Sequence, residues 1–567
     1  MVDPVSLAVI RGRLEQIVDE MDATLFRAAF SPVIAEARDG SHGLYDAANG
    51  DTIAMGKTGL PVFIGAMSHA ARAAIKRADA DGGFADGDII LLNDPYDGAT
   101  HLNDIKLIKP LFRDGRPFCL LASVGHWIDV GGNVPGNYNP TATDIMQEGM
   151  RIPAVKLFDR GRMRQDVVDI LLANSRLPQS CYGDLNAQLG ALDLGERRMI
   201  ELLDDYGADV LAEAIAEIQA RAARQMRDLI AALPDGIFSF EDNIDNDGLT
   251  DTPLKVALDL TIRGEEMTLD FSRSAPSCAG PMNVARGTTI AACFVALKHV
   301  FTEVPANAGC LEPIRFVIPD NSILSAEAPK PVSGYTENIM RTIDVVFGAF
   351  SKIAPERTNA ACFATVNVLL MSGRRDDGSD FIFFTFFGGG LGANPEGDGL
   401  NHGNAPIGMA TIPPVEILEA AYPVRFTNWG LRCDSGGAGH HRGGLGAIYE
   451  IELRADAANL VAFGERAVFP AFGILGGGAG APNHLIYDQD DGPAIPRLGT
   501  KLSGVRLTKG QRVRIESPGG GGYGPAGDRA LDDIARDLRL GLVSPDRAER
   551  DYAVTIAPDG TIARPAA

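Results

Sequence analysis

Two apolar, strand-like runs in the first part of the chain each end in a cluster of polar residues. The run Ile89 to Leu92 leads into residues 93–104, and the run Phe118 to Val124 leads into residues 125–132. Side chains that directly follow a strand are held in place by the sheet but remain open to a ligand. These two stretches contain two histidines and four aspartates, whose imidazole and carboxylate groups are donors that suit divalent Zn, Mn and Fe. The pattern therefore predicts a metal site around which the rest of the chain is organised.

The candidate metal ligands are His101, Asp104 and His126, with Asp39 and Glu36 as additions. His101 and Asp104 are three residues apart, so a bend beside a strand can turn both side chains to one side. His126 comes from the end of a neighbouring strand. Neutral imidazole and carboxylate groups bind a divalent ion and leave a position for water or substrate. The alternative is that these polar groups only cap strands and satisfy turns. The spacing decides neither between these two readings nor between Zn and Mn.

Four further residues near these motifs are candidates for supporting roles. Asp94 and Asp129 can accept a hydrogen bond from an imidazole N–H group and so orient a ligand. His42 follows Asp39 by three residues and is a further candidate for the site. His69 occupies a helical position, which favours a structural role.

Three glycine-rich stretches, 388–392, 435–444 and 517–524, lie in the last third of the chain. One functional interpretation of the second stretch is an anion cradle built from backbone N–H groups and Arg442. None of the three has the Lys-Ser/Thr ending of a phosphate loop or the strand–GxGxxG–helix context of a dinucleotide site. For 435–444 a glycine-built turn with solvated histidines is the favoured interpretation, and for 388–392 and 517–524 it is close packing of backbone. Nucleotide binding by this chain alone is not expected.

Composition excludes several classes of function. The formal charge of −22 argues against nucleic acid and anionic membrane surfaces as partners. The longest apolar runs are too short for a membrane span, and no export signal is visible at the N-terminus. The seven cysteines are dispersed without a C-x-x-C pair, which predicts reduced thiols and a cytoplasmic location. Cys181 and Cys433 are alternative nucleophiles, but the buried structural role is favoured for both.

At 567 residues the chain is expected to form two to four packed units with a mixed α+β fold. Residues 1–235 are predicted to form an α/β region with long helices around the metal-bearing sheet. Residues 236–360 are predicted to form an α+β domain, and residues 361–567 a β-rich, glycine-rich domain with a short C-terminal helix. Apolar periodicity and capping residues predict helices over 3–30, 61–76, 209–233, 283–302, 337–353 and 529–541.

Several motifs, in order along almost the whole chain, resemble those of the hydantoinase B/oxoprolinase family. They are Glu36-Ala-Arg-Asp39, the 93–104 and 125–129 stretches, Tyr422-Pro-Val-Arg425, the 435–444 stretch and Pro518 to Gly524. The resemblance implies a hetero-oligomer with a larger hydantoinase A-type subunit that binds ATP, while this chain carries a Zn or Mn ion. It places metal ligands on His101, Asp104 and His126, with Asp39 or Glu36 completing the set.

The resemblance also implies an activity, ATP-dependent opening of a cyclic amide such as a hydantoin, oxoproline or lactam. Phosphorylation turns the amide oxygen into a leaving group, the metal activates water, and Asp39 or Glu36 acts as general base beside Asp129. ATP-dependent carboxylation of a ketone is the alternative reaction, and a non-catalytic scaffold for the ATPase partner is the third hypothesis. This chain has Gly59-Leu-Pro-Val-Phe63 where family members often have a His-Ile-Pro-Val-His run, which weakens any analogy in substrate.

Overall fold

The first helix of the computed structural model begins at the capping residue that the sequence predicts. The Asp3 carboxylate accepts hydrogen bonds from the backbone N–H groups of Val5 and Ser6, and Pro4 occupies the first turn, where a missing N–H is tolerated. One side of the helix is buried, namely Leu7, Ile10, Leu14, Ile17, Val18, Met21, Asp22 and Leu25. The structure describes residues 2–404, 406–408 and 411–564.

The described residues form eleven α-helices and twenty-two β-strands, which confirms the predicted mixed α+β class. The helices are α1 (Pro4–Ala28), α2 (Pro32–Ala35), α3 (Pro61–Ala80), α4 (Gln165–Ala173), α5 (Pro178–Tyr206), α6 (Ala208–Ala231), α7 (Arg286–Val300), α8 (Tyr335–Phe350), α9 (Val415–Ala421), α10 (Leu531–Arg539) and α11 (Pro545–Tyr552). Within the described ranges, none of these helices combines the length and the apolar character that crossing a bilayer requires.

The first eleven strands are β1 (Gly40–Asp46), β2 (Thr52–Met55), β3 (Ile89–Leu92), β4 (Asp104–Arg113), β5 (Arg116–His126), β6 (Val155–Asp159), β7 (Arg162–Met163), β8 (Gly236–Ile244), β9 (Leu254–Arg263), β10 (Glu266–Asp270) and β11 (Ile314–Val317). The others are β12 (Val368–Arg374), β13 (Asp380–Thr385), β14 (Val424–Leu431), β15 (Ala447–Leu453), β16 (Ala457–Phe463), β17 (His484–Gln489), β18 (Gly492–Ala494), β19 (Leu502–Thr508), β20 (Arg512–Glu516), β21 (Thr555–Ile556) and β22 (Ile562–Ala563).

The chain divides into two compact units, each assembled from separate segments. The first unit comprises Met1–Ile237, Asp259–Tyr335 and Ile407–Pro413. The second comprises Phe238–Leu258, Thr336–Pro406 and Pro414–Ala567.

A seven-stranded antiparallel sheet forms the centre of the first unit, in the order β2-β1-β5-β4-β3-β6-β7. Strand β4 lies between the two runs that the sequence shows as strand-like, and it pairs with β5 along its whole length. Helix α5 covers one face, where Lys109 of β4 forms ion pairs with Asp193 and Glu196. Because side chains alternate along a strand, Asp104 and Lys106 point to the opposite face, on the side of α3.

The second unit contains two antiparallel sheets that share a hydrophobic core. One has the order β13-β12-β16-β19 and the other β14-β15-β20-β17-β18. Alternate residues of both sheets point into the core, as expected for stacked sheets, among them Leu369, Met371, Phe383, Tyr449, Ile451, Leu460, Leu485, Val513 and Ile515.

The glycine-rich stretches of the second unit pack backbone directly against backbone, which confirms the close-packing interpretation. A Cβ atom at Gly519 would lie 1.7 Å from the carbonyl oxygen of Ser435. The backbone N–H of Gly520 donates to the carbonyl of Gly444, and that of Gly437 donates to the carbonyl of Gly520. Only glycine permits backbones to approach this closely, because every other residue places a side chain in the gap.

The alternative anion cradle receives no support from Arg442. Its Nε atom lies 3.3 Å from a carboxylate oxygen of Asp537, and its Nη1 donates to the carbonyl of Gly443 at 2.6 Å. These contacts occupy the buried guanidinium with groups of the protein itself.

Adding a methyl group to this glycine bundle should destabilise the second unit. We expect Gly519→Ala to lower the free energy of unfolding by about 3 kcal/mol, the upper end for overpacking, because the new Cβ meets rigid backbone. Gly527→Ala is the matched control, since a Cβ there has open space and should change stability by less than about 0.5 kcal/mol. Chemical denaturation measures both, and equal stabilities for the two variants would contradict the packing argument.

Candidate metal centre

Three of the predicted metal ligands come together at one end of the central sheet of the first unit. The Nδ1 atom of His101 lies 2.7 Å from Oδ2 of Asp104, and Nδ1 of His126 lies 3.5 Å from Oδ1 of the same carboxylate. The Oδ2 atom of Asp39 lies 3.8 Å from Nδ1 of His126. All three side chains of the His101–Asp104–His126 group are buried, and one donor atom from each lies within 4.8 Å of the others.

The positions of these donors follow from backbone pairing. Asp104 begins β4 and lies directly opposite His126, the last residue of β5, so both side chains point to the same face of the sheet. The backbone N–H of His126 also donates to the carbonyl of Asp39 at 3.1 Å, which brings the residue before β1 alongside. His101 lies in the loop before β4, where its carbonyl accepts a hydrogen bond from the N–H of Asp104 at 3.2 Å.

The donor set fits a divalent ion. Zinc binds imidazole nitrogen and carboxylate oxygen at about 2.0–2.2 Å, so donors that share one ion are about 3–3.6 Å apart, close to the spacings found here. The Oδ1 atom of Asp104 is buried and makes no hydrogen bond of normal geometry with the described residues; its contact with Nδ1 of His126, at 3.5 Å, is long. A buried carboxylate oxygen without a well-formed hydrogen bond is unfavourable in the absence of a cation, and coordination would satisfy it.

Aromatic and hydroxyl groups complete the surroundings of the imidazoles. The Tyr138 hydroxyl lies 3.4 Å from Nε2 of His101, the ring nitrogen that faces away from Asp104. The ring of Tyr335 packs against that of His101 with 4.6 Å between centroids. The Thr100 hydroxyl donates to Oδ2 of Asp104. Such outer contacts fix the tautomer and the orientation of ligating imidazoles.

Two asparagines that sequence reasoning did not select hold the loops around the candidate ligands. The side-chain amide of Asn103 donates to the carbonyl of Trp127 and to Oδ1 of Asn137. The amide of Asn137 in turn donates to the carbonyls of Gly131 and Glu148. Both asparagines are buried, and their presence within or just after the polar stretches is the only signal by which the sequence indicates them.

The charges of the site are unevenly matched. Burial alone would raise the pKa of Asp104. The nearby His101 and His126 outweigh this effect and hold the pKa well below its ordinary value, so the carboxylate is ionised. Burial raises the pKa of Asp39 to about 6, an effect that His126 opposes and Asp104 reinforces. Burial lowers the pKa of Lys106 to about 8, against the attraction of Asp104. Lys106 was missed by sequence reasoning, although a lysine within the run Ile105 to Ile108 is unusual for a buried strand.

The chain matches the sequence profile of the hydantoinase B/oxoprolinase family over residues 3–526. It belongs to this family. The chain is 34% identical over 580 residues to the caprolactamase subunit beta of Pseudomonas jessenii, and the match covers 99% of this chain and 97% of that protein. The resemblance carried by the motifs is therefore confirmed.

Two solved structures share the fold of this hydantoinase B-type chain. The crystal structure of the ATP-dependent caprolactamase from Pseudomonas jessenii matches with a TM-score of 0.90 and 33% identity, over 99% of this chain and 98% of that one. A nucleotide-free structure of acetone carboxylase matches with a TM-score of 0.91 over 99% of this chain and 81% of that one. Its identity is 20%, and the likeness extends to the fold alone.

The remaining candidates of this hydantoinase B-type chain lie around the group rather than within it. Among the described residues, the convergent donor group comprises His101, Asp104 and His126, and includes neither Asp39 nor Glu36. The Glu36 carbonyl accepts a hydrogen bond from the hydroxyl of Thr411 at 2.6 Å. Its role as ligand or base stays a prediction.

Asp129 and Asp94 both accept hydrogen bonds that stabilise loops beside the His101–Asp104–His126 group. The carboxylate of Asp129 accepts hydrogen bonds from the N–H groups of Gly131, Gly136 and Arg176 and from the Arg176 guanidinium. Asp94 accepts from the N–H of Tyr96 and from the guanidinium of a nearby arginine. These contacts account for the positions of both carboxylates, and their predicted parts in orienting ligands or in catalysis remain predictions.

Two other histidines and a cysteine have different surroundings. His42 of β1 places Nδ1 2.8 Å from Oδ1 of Asp22 on α1. The ring of His69 on α3 lies beside Gly287 at the start of α7. Burial raises the pKa of the Cys181 thiol to about 12, so this residue is not a thiolate near neutral pH.

The raised pKa of Asp39 predicts a pH-dependent stability in the metal-free protein. The pKa of this carboxyl is about 6 in the folded state and 3.8 in the unfolded state. The folded protein therefore loses stability as the pH rises from about 4 to above 6. We therefore expect Asp39→Asn to be more stable than wild type at pH 7.5, by at most about 3 kcal/mol, and the advantage to shrink towards pH 5. Thermal melts across this range, run with a chelator present, measure it. An advantage that does not vary with pH would contradict the assignment.

Proposed function

We propose that this chain is the metal-bearing subunit of an ATP-dependent cyclic amide hydrolase, which opens a hydantoin, oxoproline or lactam ring. The convergence of His101, Asp104 and His126 at one end of the sheet carries the proposal. It is supported by near full-length similarity to a protein named caprolactamase subunit beta. The working enzyme is then a hetero-oligomer, placed in the cytoplasm, in which a larger hydantoinase A-type partner binds ATP.

The proposed division of labour follows from the chemistry of amides. An amide carbonyl is a poor electrophile, because nitrogen donates electron density into it. Transfer of the terminal phosphoryl group of ATP to the carbonyl oxygen, assigned to the partner, makes the carbonyl carbon a good electrophile. Water then adds to this carbon, the ring C–N bond breaks as the nitrogen takes a proton, and the resulting acyl phosphate is hydrolysed by a second water to the carboxylate and phosphate. This chain is assigned the hydrolytic half because it lacks a phosphate-loop sequence and carries the convergent donors.

Each residue of the site has a proposed role. His101, Asp104 and His126 would hold Zn or Mn, with Asp39 completing the set. Once bound, the ion supplies Lewis acidity and lowers the pKa of water. Asp39 accepts the proton of the attacking water, a role supported by the position of its carboxylate oxygen 3.8 Å from Nδ1 of His126. The Tyr138 hydroxyl orients the His101 ring through Nε2.

The test requires the chain together with its larger partner. The purified assembly is assayed for ATP hydrolysis and product formation against hydantoins, oxoproline, lactams and ketones, with and without bicarbonate. Ring opening that needs ATP but not bicarbonate supports the proposal. Product formation from a ketone that strictly requires bicarbonate would reject the hydrolase and identify a carboxylase.

Loss of the imidazole donors should remove the metal. We expect His101→Ala and His126→Ala to lack a stoichiometric divalent ion and to lose turnover, while the partner still binds ATP. His484→Ala, which changes an exposed histidine of the second unit, is the control and should retain the wild-type metal content. Elemental analysis of the purified proteins measures the ion. Undiminished turnover without the ion would favour a scaffold role for this chain.

The position of the general base predicts a difference between two nearby acids. We expect Asp39→Asn to lower kcat by about 10²–10⁴, the usual contribution of a general base, whereas Glu36→Gln leaves kcat close to wild type. The reason is that Asp39, unlike Glu36, has a carboxylate oxygen beside His126. Steady-state kinetics of the assembly measure both variants, and the reverse ranking would move the base to Glu36.

A further inference from the structure

A lysine is buried on the metal-binding side of the sheet. Lys106 belongs to β4, two residues after Asp104, so its side chain lies on the same face as that ligand. Its ammonium is buried and donates a hydrogen bond to the backbone carbonyl of Gly98 at 2.8 Å. Lys109, further along the same strand, points to the opposite face and forms ion pairs with Asp193 and Glu196.

The carbonyl that Lys106 holds belongs to the loop that carries His101. Gly98 ends the short 3₁₀ turn Pro95–Asp97 with a left-handed conformation (φ 109°). A Cβ atom there would lie 2.3 Å from the backbone nitrogen of Ala70 on α3, so the loop rests directly on that helix. The backbone of Gly98 therefore contacts α3, and its carbonyl accepts a hydrogen bond from the buried ammonium, three residues before His101.

Burial of a lysine in this position demands a compensating interaction. Moving an ammonium out of water is strongly unfavourable unless hydrogen bonds and opposite charge offset it. Here the Gly98 carbonyl is the acceptor and the Asp104 carboxylate supplies the nearby opposite charge. Asp104 is a member of the candidate metal centre, and Gly98 belongs to the loop that leads to His101.

We propose that Lys106 is a positioning residue of the metal centre: by clamping the Gly98 carbonyl, it fixes the 94–104 loop and so holds His101 beside Asp104. The inference rests on the proposed metal-binding function. Lys106 does not contact the substrate or the ion in this scheme, but acts through the loop backbone.

Two effects of this lysine on metal binding have opposite signs, which makes the proposal testable. A fixed positive charge repels a divalent cation, so if Lys106 contributed charge alone, its removal would tighten metal binding. If it acts as a clamp, its removal makes the loop mobile. Metal binding must then order His101, and this cost weakens the affinity. Loss of a group that orients metal ligands typically weakens affinity by about 10- to 100-fold.

The experiment compares Lys106→Met with Lys109→Met, which removes an ammonium from the opposite face of the same strand. Zn²⁺ affinity is measured by competition with a chelating indicator, and backbone mobility by hydrogen–deuterium exchange of peptides covering residues 94–104. We expect Lys106→Met to bind Zn²⁺ at least tenfold more weakly and to exchange faster in this loop. Lys109→Met should match wild type in both measurements. If Lys106→Met does not fold, Lys106→Gln replaces it and carries the same expectation.

The outcomes separate this inference from the proposed function. Tighter or unchanged Zn²⁺ binding by Lys106→Met, with unchanged exchange in the loop, would overturn the clamp. If wild type binds no metal, the proposed function fails. Faster exchange of 94–104 in Lys106→Met would in that case still support the clamp as a feature of the fold.

Discussion

The register between β4 and β5 determines the whole site. Because Asp104 and His126 lie opposite each other in an antiparallel pair, they necessarily point to the same face of the sheet. A shift of pairing by one residue would move one of them to the face covered by α5 and separate the donors. The register between β1 and β5 positions Asp39 in the same way. Gly40 lies opposite Gly125, so the residues next to them, Asp39 and His126, lie side by side.

His101 lies in a loop, so no strand register fixes its position. Polar contacts from surrounding side chains to the loop backbone hold it instead. The amide of Asn93 donates to the Leu102 carbonyl, and the hydroxyl of Thr288 reaches the Ala99 carbonyl. With the Gly98 carbonyl, which Lys106 holds, three carbonyls of the loop accept hydrogen bonds from buried side chains. A loop held in this way can present a ligand with a precision that otherwise requires a strand.

The elements that could be predicted from sequence are those with local signals. Helix α1 has a capping residue and an apolar periodicity within its own sequence. The candidate ligands could be recognised because they are His and Asp residues next to strand ends. The place of β4 between β3 and β5 could not be predicted, because a strand buried on both faces has no alternating pattern. Lys106 and Asn137 were missed for a related reason. Their partners lie in other loops or across a turn, and only the folded backbone brings them together.

The carboxylates of the metal-free site are unequally stabilised at this end of the sheet. Asp104 and Asp39 are two carboxylates in a poorly solvated position, and the charge of Asp104 disfavours ionisation of Asp39. The charge of Lys106 offsets part of this repulsion. A divalent ion among these donors would relieve the rest, so binding energy and folding stability are coupled at this point. In the absence of an ion, the raised pKa of Asp39 marks it as the carboxylate of this pair whose ionisation opposes folding, whereas His101 and His126 stabilise the charge of Asp104.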